Sequence, residues 1–170
     1  MQEIVDVTLR SIGHDEAGLL SNLLELYIHD LSDVFPGIEV GPDGRFGYPK
    51  LAAYWSDPGR KSAFLITAGA RIAGFALVTR GSPASDDPDV LDVAEFFVLR
   101  KYRRAAVGAR AAHLLFRRFP GSFTVRALDR NPGAVAFWRR VVTDFTNGAA
   151  IETVRPGPPS AWRVFSFTTV

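Results

Sequence analysis

The run FFVLRKYRRAAVGARAAHLLF, Phe96 to Phe116, limits more than any other stretch what this chain can fold into. It starts as the end of an apolar strand read from Val90 to Leu99 and passes within a few residues into a helix read from about Val107 to Phe119. Apolar residues on both strand faces around Glu95 are the pattern of a strand in the middle of a sheet. A helix that follows such a strand directly packs back onto that sheet. Its Val107, Ala111, Leu114 and Leu115 are expected to face inward, with Arg110, His113 and Arg117 in water.

The junction also has a chemistry. A helix start leaves four amide N–H groups without intrahelical partners and carries roughly half a positive charge. The small residues Ala105, Ala106, Val107, Gly108 and Ala109 would let an anion reach those amides, and Arg103 and Arg104 would add charged donors. A diphosphate suits such a place. The plain alternative is a solvated turn followed by a small-residue packing surface. Neither the G-x-x-x-x-G-K-[ST] spacing nor G-x-G-x-x-G is present, so nucleotide hydrolysis and NAD binding lose support.

Around this junction the hydrophobic period alternates between strand and helix. Ile4 to Leu9 reads as a strand and Asp15 to Leu31 as an amphipathic helix, with Leu20, Leu23, Leu24, Tyr27 and Leu31 on one side. A Pro/Gly loop rich in aromatics follows, with a short helix at Lys50 to Trp55; loops of this length in a compact domain usually have a function. Ser62 to Thr67 and Ile72 to Thr79 form a hairpin across AGAR. PGSFTVRAL supplies a fifth strand, and NPGAVAFWRRVV a helix with Asn131 as N-cap and Pro132 at its first position. That helix is expected to bury Ala134, Phe137, Trp138 and Val141, and to end near Arg139 and Arg140, whose charges would suit its C-terminal dipole. FTNGAAIETV and WRVFSFTTV close the chain as two strands. The sum is an α/β (α+β) domain: a mixed, mostly antiparallel sheet of about seven strands with helices on its faces.

Composition narrows the chemistry further. The 170 residues suit one domain, residues 1–170, and the absence of cysteine removes thiol nucleophiles and Cys-based zinc sites. His14, His29 and His113 show no metal-ligand spacing, so no metal is expected. A net charge of +2 does not call for nucleic acid as a partner. No signal-type start and no apolar run long enough to span a bilayer are present, so a soluble, cytoplasmic protein without a membrane partner is expected.

The stretch VAEFFVLRKYRRAAVGARAAHLLF resembles the acyl-CoA-binding motif of the GNAT superfamily of N-acyltransferases, a central strand followed by (Arg/Gln)-x-x-Gly-x-(Gly/Ala). Arg103, Ala106 and Gly108 meet the pattern, with Ala106 in place of the usual first glycine. NPGAVAFWRR is similar to the family's N-x-x-A-x-x-F-(Tyr/Trp) segment through Asn131, Ala134, Phe137 and Trp138. The order of elements agrees over nearly the whole chain.

The resemblance implies a sheet whose fourth and fifth strands splay apart, and acetyl-CoA as cosubstrate. Its pantetheine arm would run along the backbone of Phe97, Val98 and Leu99, with the Val98 amide as oxyanion donor, and its diphosphate would sit on the amides from Arg104 to Ala109. Asn131, Phe137 and Trp138 would line the cofactor, although Asn131 is equally a plain helix cap. The implied activity is transfer of an acetyl group to a primary amine of a small molecule or a protein. The alternative is a non-catalytic acyl-CoA sensor of the same fold.

Glu95, a charge in an apolar strand close to the expected acetyl position, is the candidate general base; the other reading is a sheet-surface Glu paired with an Arg. Trp138 stands where many relatives have a Tyr, and an indole cannot donate the proton the leaving thiolate needs, so the acid is unassigned. Tyr27, Tyr48 and Tyr54, with Asp30, Asp33, Phe46 and Trp55, are candidate acceptor-binding residues, or else a minor core under the long loop. A homodimer through the last strands is also expected.

Overall fold

The computed structural model describes residues 5–170. Its elements run β1 (Val7–Ser11), α1 (Ala17–Ser32), α2 (Ala53–Ser56), β2 (Lys61–Ala68), β3 (Arg71–Arg80), β4 (Leu91–Val98), α3 (Val107–Arg118), β5 (Gly121–Leu128), α4 (Pro132–Thr146), β6 (Ile151–Arg155) and β7 (Trp162–Thr169). One seven-stranded sheet has the order β1-β2-β3-β4-β5-β7-β6. Every neighbouring pair is antiparallel except β4 and β5, which are parallel and joined by α3. The first strand lies a little later than expected, and Ile4 falls outside the described residues.

Two layers of apolar side chains hold the helices on the sheet. On one face Phe116 of α3 and Val142 of α4 pack with Phe123 and Phe167. On the other, Leu20 and Leu24 of α1 meet Leu65, Phe75 and Leu77. The long loop after α1 is tied down by Glu25, whose carboxylate accepts the amides of Phe46 (2.8 Å) and Gly47 (2.9 Å) and pairs with Arg45. Those two amides hold the Glu25 carboxyl below its usual range. Gly74 lets β3 lie close to β4, since a Cβ there would fall 1.9 Å from the Phe97 carbonyl oxygen.

Three expectations need correcting. The fourth helix does not end at Arg139 and Arg140; it continues to Thr146 and stops at Asn147, which is left-handed with φ 51° and closes on the Thr143 carbonyl. Arg139 and Arg140 therefore lie mid-helix, and Arg139 forms a two-point pair with Glu152 of β6 instead of answering a helix dipole. In α4 the buried residues are Val135, Trp138, Val141 and Val142, while Ala134 and Phe137 are only half-buried. In α3, Phe116 takes the inward place expected of Leu114, and His113 is half-buried, its Nε2 3.0 Å from the Val141 carbonyl oxygen.

A register shift in β4 decides which side chains reach which face. Leu77 pairs with Glu95 but Val78 pairs with Val93, so Ala94 is an extra residue, a β-bulge. Before it, Leu91 and Val93 face α3 and α4; after it, Phe96 and Val98 do. Asp92, Glu95 and Phe97 are thereby turned toward α1.

Candidate active site

Parallel pairing between β4 and β5 is confined to Leu91 with Phe123 and Asp92 with Thr124. Beyond those residues the strands diverge and leave a cleft of about 340 Å³. Tyr27, Leu31, Phe35, Glu95, Arg126 and Trp162 line it from the α1 face. Phe96, Asn131, Ala134 and Trp138 line it from the α4 face, so the cleft passes through the sheet. Of the expected cofactor residues, Trp138 is 5.0 Å from Phe96 ring to ring and Phe137 packs against both. Asn131 caps α4 by accepting the Ala134 amide (3.2 Å) while its side chain stays at the cleft wall.

The free edge of β4 faces this gap. Leu99 donates its amide to Ala73 of β3 (2.8 Å), and alternation along an antiparallel strand then directs the amides of Phe97 and Glu95 to β3 and those of Phe96 and Val98 toward β5. The Val98 carbonyl on the same edge is already used, since Arg103 donates to it through Nε (2.7 Å). Arg103 also pairs with Asp30 of α1 (2.7 Å), which Arg100 shares (2.8 Å). The two guanidinium groups outweigh burial and hold the Asp30 carboxyl below its usual range. Asp30 is therefore committed to this brace rather than free for an amine.

Between the strand and α3 the backbone takes an uncommon course. Arg104 and Ala106 have φ of 66° and 59°, on either side of Ala105. Turns cover residues 103–106, the first bond of the helix runs from the Arg110 amide to the Ala106 carbonyl (3.0 Å), and the amides of Val107, Gly108 and Ala109 open α3 without an intrahelical partner. Position 106 is left-handed, which explains why glycine is usual there: a Cβ in that conformation costs about 1–2 kcal/mol. Gly108 also has a part in packing. A Cβ on it would lie 3.2 Å from the Phe137 ring and 3.5 Å from Val98, so its absence lets α3 sit against α4 beside the cleft.

Glu95 stands at the α1 mouth of the cleft, half-buried. Tyr27 donates its hydroxyl to Oε2 (2.7 Å) and Tyr48 to Oε1 (3.1 Å). Burial pushes the Glu95 carboxyl up against the pull of those two hydrogen bonds. Burial and the nearby carboxylate push both phenols up as well, so they remain donors. Tyr54 is buried in the α1-side core, at 4% exposure, with its phenol pushed up to about 12 by burial; it offers no surface to a ligand. Phe46 and Trp55 are part of the same core, and Trp55 donates its indole N–H to the Ile12 carbonyl (3.0 Å). Asp33 is exposed at the end of α1.

Asp92 and Arg126 form a second charged pair, which no sequence motif marks. Asp92 of β4, 1% exposed, accepts Nε (3.0 Å) and a terminal nitrogen (2.7 Å) of Arg126 on β5, together with the hydroxyls of Thr124 (2.7 Å) and Ser82 (2.8 Å). It staples the two strands where they begin to part. The available signal was a second acid in β4 and an arginine as the one charged residue of β5. Phe35 and Trp162, whose rings meet at 6.1 Å across the cleft mouth, carry no motif that marks them.

No family model matches the sequence, and no curated protein matches it. Solved structures match over almost the whole chain. An acetyltransferase from Thermus thermophilus is 16% identical over 97% of this chain and 98% of its own, with a TM-score of 0.66. The spermidine N-acetyltransferase of Vibrio cholerae, solved with CoA and spermine, is 10% identical over 96% and 95%, also at 0.66. The ribosomal-protein-S18-alanine N-acetyltransferase of Escherichia coli is 14% identical over 96% and 94%, at 0.60. The chain has the fold of the GNAT acetyltransferases, with a seven-stranded mixed sheet in which the parallel β4 and β5 part from each other. No helix among the described residues is long and apolar enough to cross a membrane.

Proposed function

We propose that the protein is an acetyl-CoA-dependent N-acetyltransferase acting on a primary amine of a small molecule or peptide. The observation that carries this reading is the cleft through the sheet: β5 leaves β4 after two paired residues, exposing a polar strand edge to a cavity with Glu95 at its other mouth. A thioester fits there, since the strand edge can receive pantetheine, the amides of residues 107–109 that open α3 can receive a diphosphate, and no metal is needed. Acetyl-CoA supplies an acyl carbon already bonded to a good leaving group. The Val98 amide, directed at the gap, would polarise the acyl oxygen. Glu95, with a carboxyl pushed up by burial and two phenols fixing its oxygens, would take the proton the amine sheds. The amine nitrogen bonds to the acyl carbon, the carbon–sulfur bond breaks, and the sulfur leaves as thiolate to be protonated from solvent. Trp138 stays a wall of the cleft and not an acid.

A second reading, an acyl-CoA sensor without turnover, is favoured by one observation: Arg103 is spent on Val98 and Asp30 rather than held ready for phosphate. Thiol release from acetyl-CoA over a broad amine panel separates the two. Amine-dependent release is expected, and binding without release with any amine would favour the sensor. The reading carries with it a cytoplasmic location, where acetyl-CoA is used, and pairing of two chains at the β6 edge, on which Ile151 and Val154 are exposed.

A further inference from the structure

The α1 mouth of the cleft holds more than a base. Arg126 reaches it from β5, opposite Glu95 on β4, and each group shifts the other's titration, so they are within electrostatic reach. Asp92 engages Nε and one terminal nitrogen of Arg126; the other terminal nitrogen has no protein partner among the described residues. The guanidinium lies 5.6 Å over the Trp162 ring, and its side chain is 19% exposed, toward the cleft. This cation is locked in plane by a buried carboxylate and a ring face, with one edge left for a ligand. A planar edge of that kind matches a carboxylate. Beside it, Leu31, Val34, Phe35, Ile38 and Trp162 form an apolar wall that carries no charge.

We propose that the acceptor is a free α-amino acid with an apolar side chain. Its amino group meets Glu95, its carboxylate meets the open edge of Arg126, and its side chain lies among Leu31, Phe35 and Trp162. The signs of charge in the site then mirror a zwitterion, anion against ammonium and cation against carboxylate. The reaction balances as ammonium plus acetyl thioester giving N-acetyl amino acid, CoA thiol and one proton: a C–N bond forms, the C–S bond breaks, and of the two protons shed by nitrogen one returns to sulfur. This inference rests on the transferase reading and adds the substrate class to it.

The test is a set of steady-state assays with the full chain and acetyl-CoA, in parallel with calorimetric binding of acetyl-CoA alone. Leucine, methionine and phenylalanine are each compared with the corresponding amino-acid amide, decarboxylated amine and N-terminal dipeptide. We expect kcat/KM for the free acids to exceed that for their amides and decarboxylated amines by about 10- to 100-fold, the worth of a charged two-point contact. Arg126→Lys, which keeps a charge for Asp92 but loses the planar edge, should cut that preference about tenfold, mainly through KM. Binding of acetyl-CoA should not change. Amides or simple amines used as well as the acids, or a preference for dipeptides, would overturn the inference and leave the transferase reading standing. No turnover of any panel member despite acetyl-CoA binding would also overturn it. Absence of acetyl-CoA binding would instead overturn the reading beneath. Should Arg126→Lys fail to fold, the wild-type panel decides alone.

Discussion

Glu95 and Ala106 show how single side chains are held against their preference. Glu95 is kept half-buried by two phenols, and burial raises its carboxyl. A carboxyl raised in the folded state binds more protons there than in the unfolded chain, so folding is favoured less as pH rises. The contribution of Glu95 to stability should therefore fall from the ordinary carboxyl value upward until the raised value is passed, and the difference in stability between wild type and Glu95→Gln should change with pH in that sense; urea unfolding of both across about pH 4 to 8 reads it. The same substitution should lower kcat by about 100-fold with acetyl-CoA affinity unchanged. A full-activity Glu95→Gln would place the base elsewhere. Ala106 is left-handed without being glycine, so Ala106→Gly should stabilise the protein by about 1 kcal/mol in the same assay. A loss of stability would show that the alanine methyl makes a compensating contact.

Among the elements, the junction of β4 with α3 and the bulge in β4 do most to shape the site. Gly108 faces the half-buried Phe137 ring, which must give by a few tenths of an ångström in Gly108→Ala; set against the ~1 kcal/mol that alanine gains over glycine in a helix, stability should change by no more than about 1 kcal/mol, measured by denaturant midpoint, and a larger loss would show that the ring cannot move. Unchanged stability with lost acetyl-CoA affinity would mean that the missing Cβ makes room for a ligand instead. The junction was legible in the sequence because strand and helix periods meet there, and so was the helix start at Asn131 and Pro132, whose cap chemistry is local. The far end of α4 was not, since Asp144 and Thr146 break the apolar pattern and only the left-handed Asn147 terminates the helix. Nor was the bulge at Ala94. It depends on how β4 registers against β3, and without it an even count along β4 would give Val93, Glu95 and Phe97 one face.

For the molecule as a whole, the mixed sheet of seven strands was legible in the alternation of elements, and the parting of β4 from β5 only through the family resemblance that motifs a few residues long carry. What lies outside such reach are pairings between distant parts of the chain. Asp30 with Arg103 and Asp92 with Arg126 span 73 and 34 positions. The first takes away an arginine that the motif offers to phosphate, and the second places a cation where no motif asks for one. Both arise because the helices and strands that carry them converge on one cleft. That convergence is also the central claim, that one end of the cleft is shaped for a diphosphate thioester and the other for an amine. Titration calorimetry of the wild-type chain with acetyl-CoA tests it most directly. A saturable heat with one site per chain, weakened by free CoA as competitor, is the predicted result; no heat at millimolar acetyl-CoA would contradict the account.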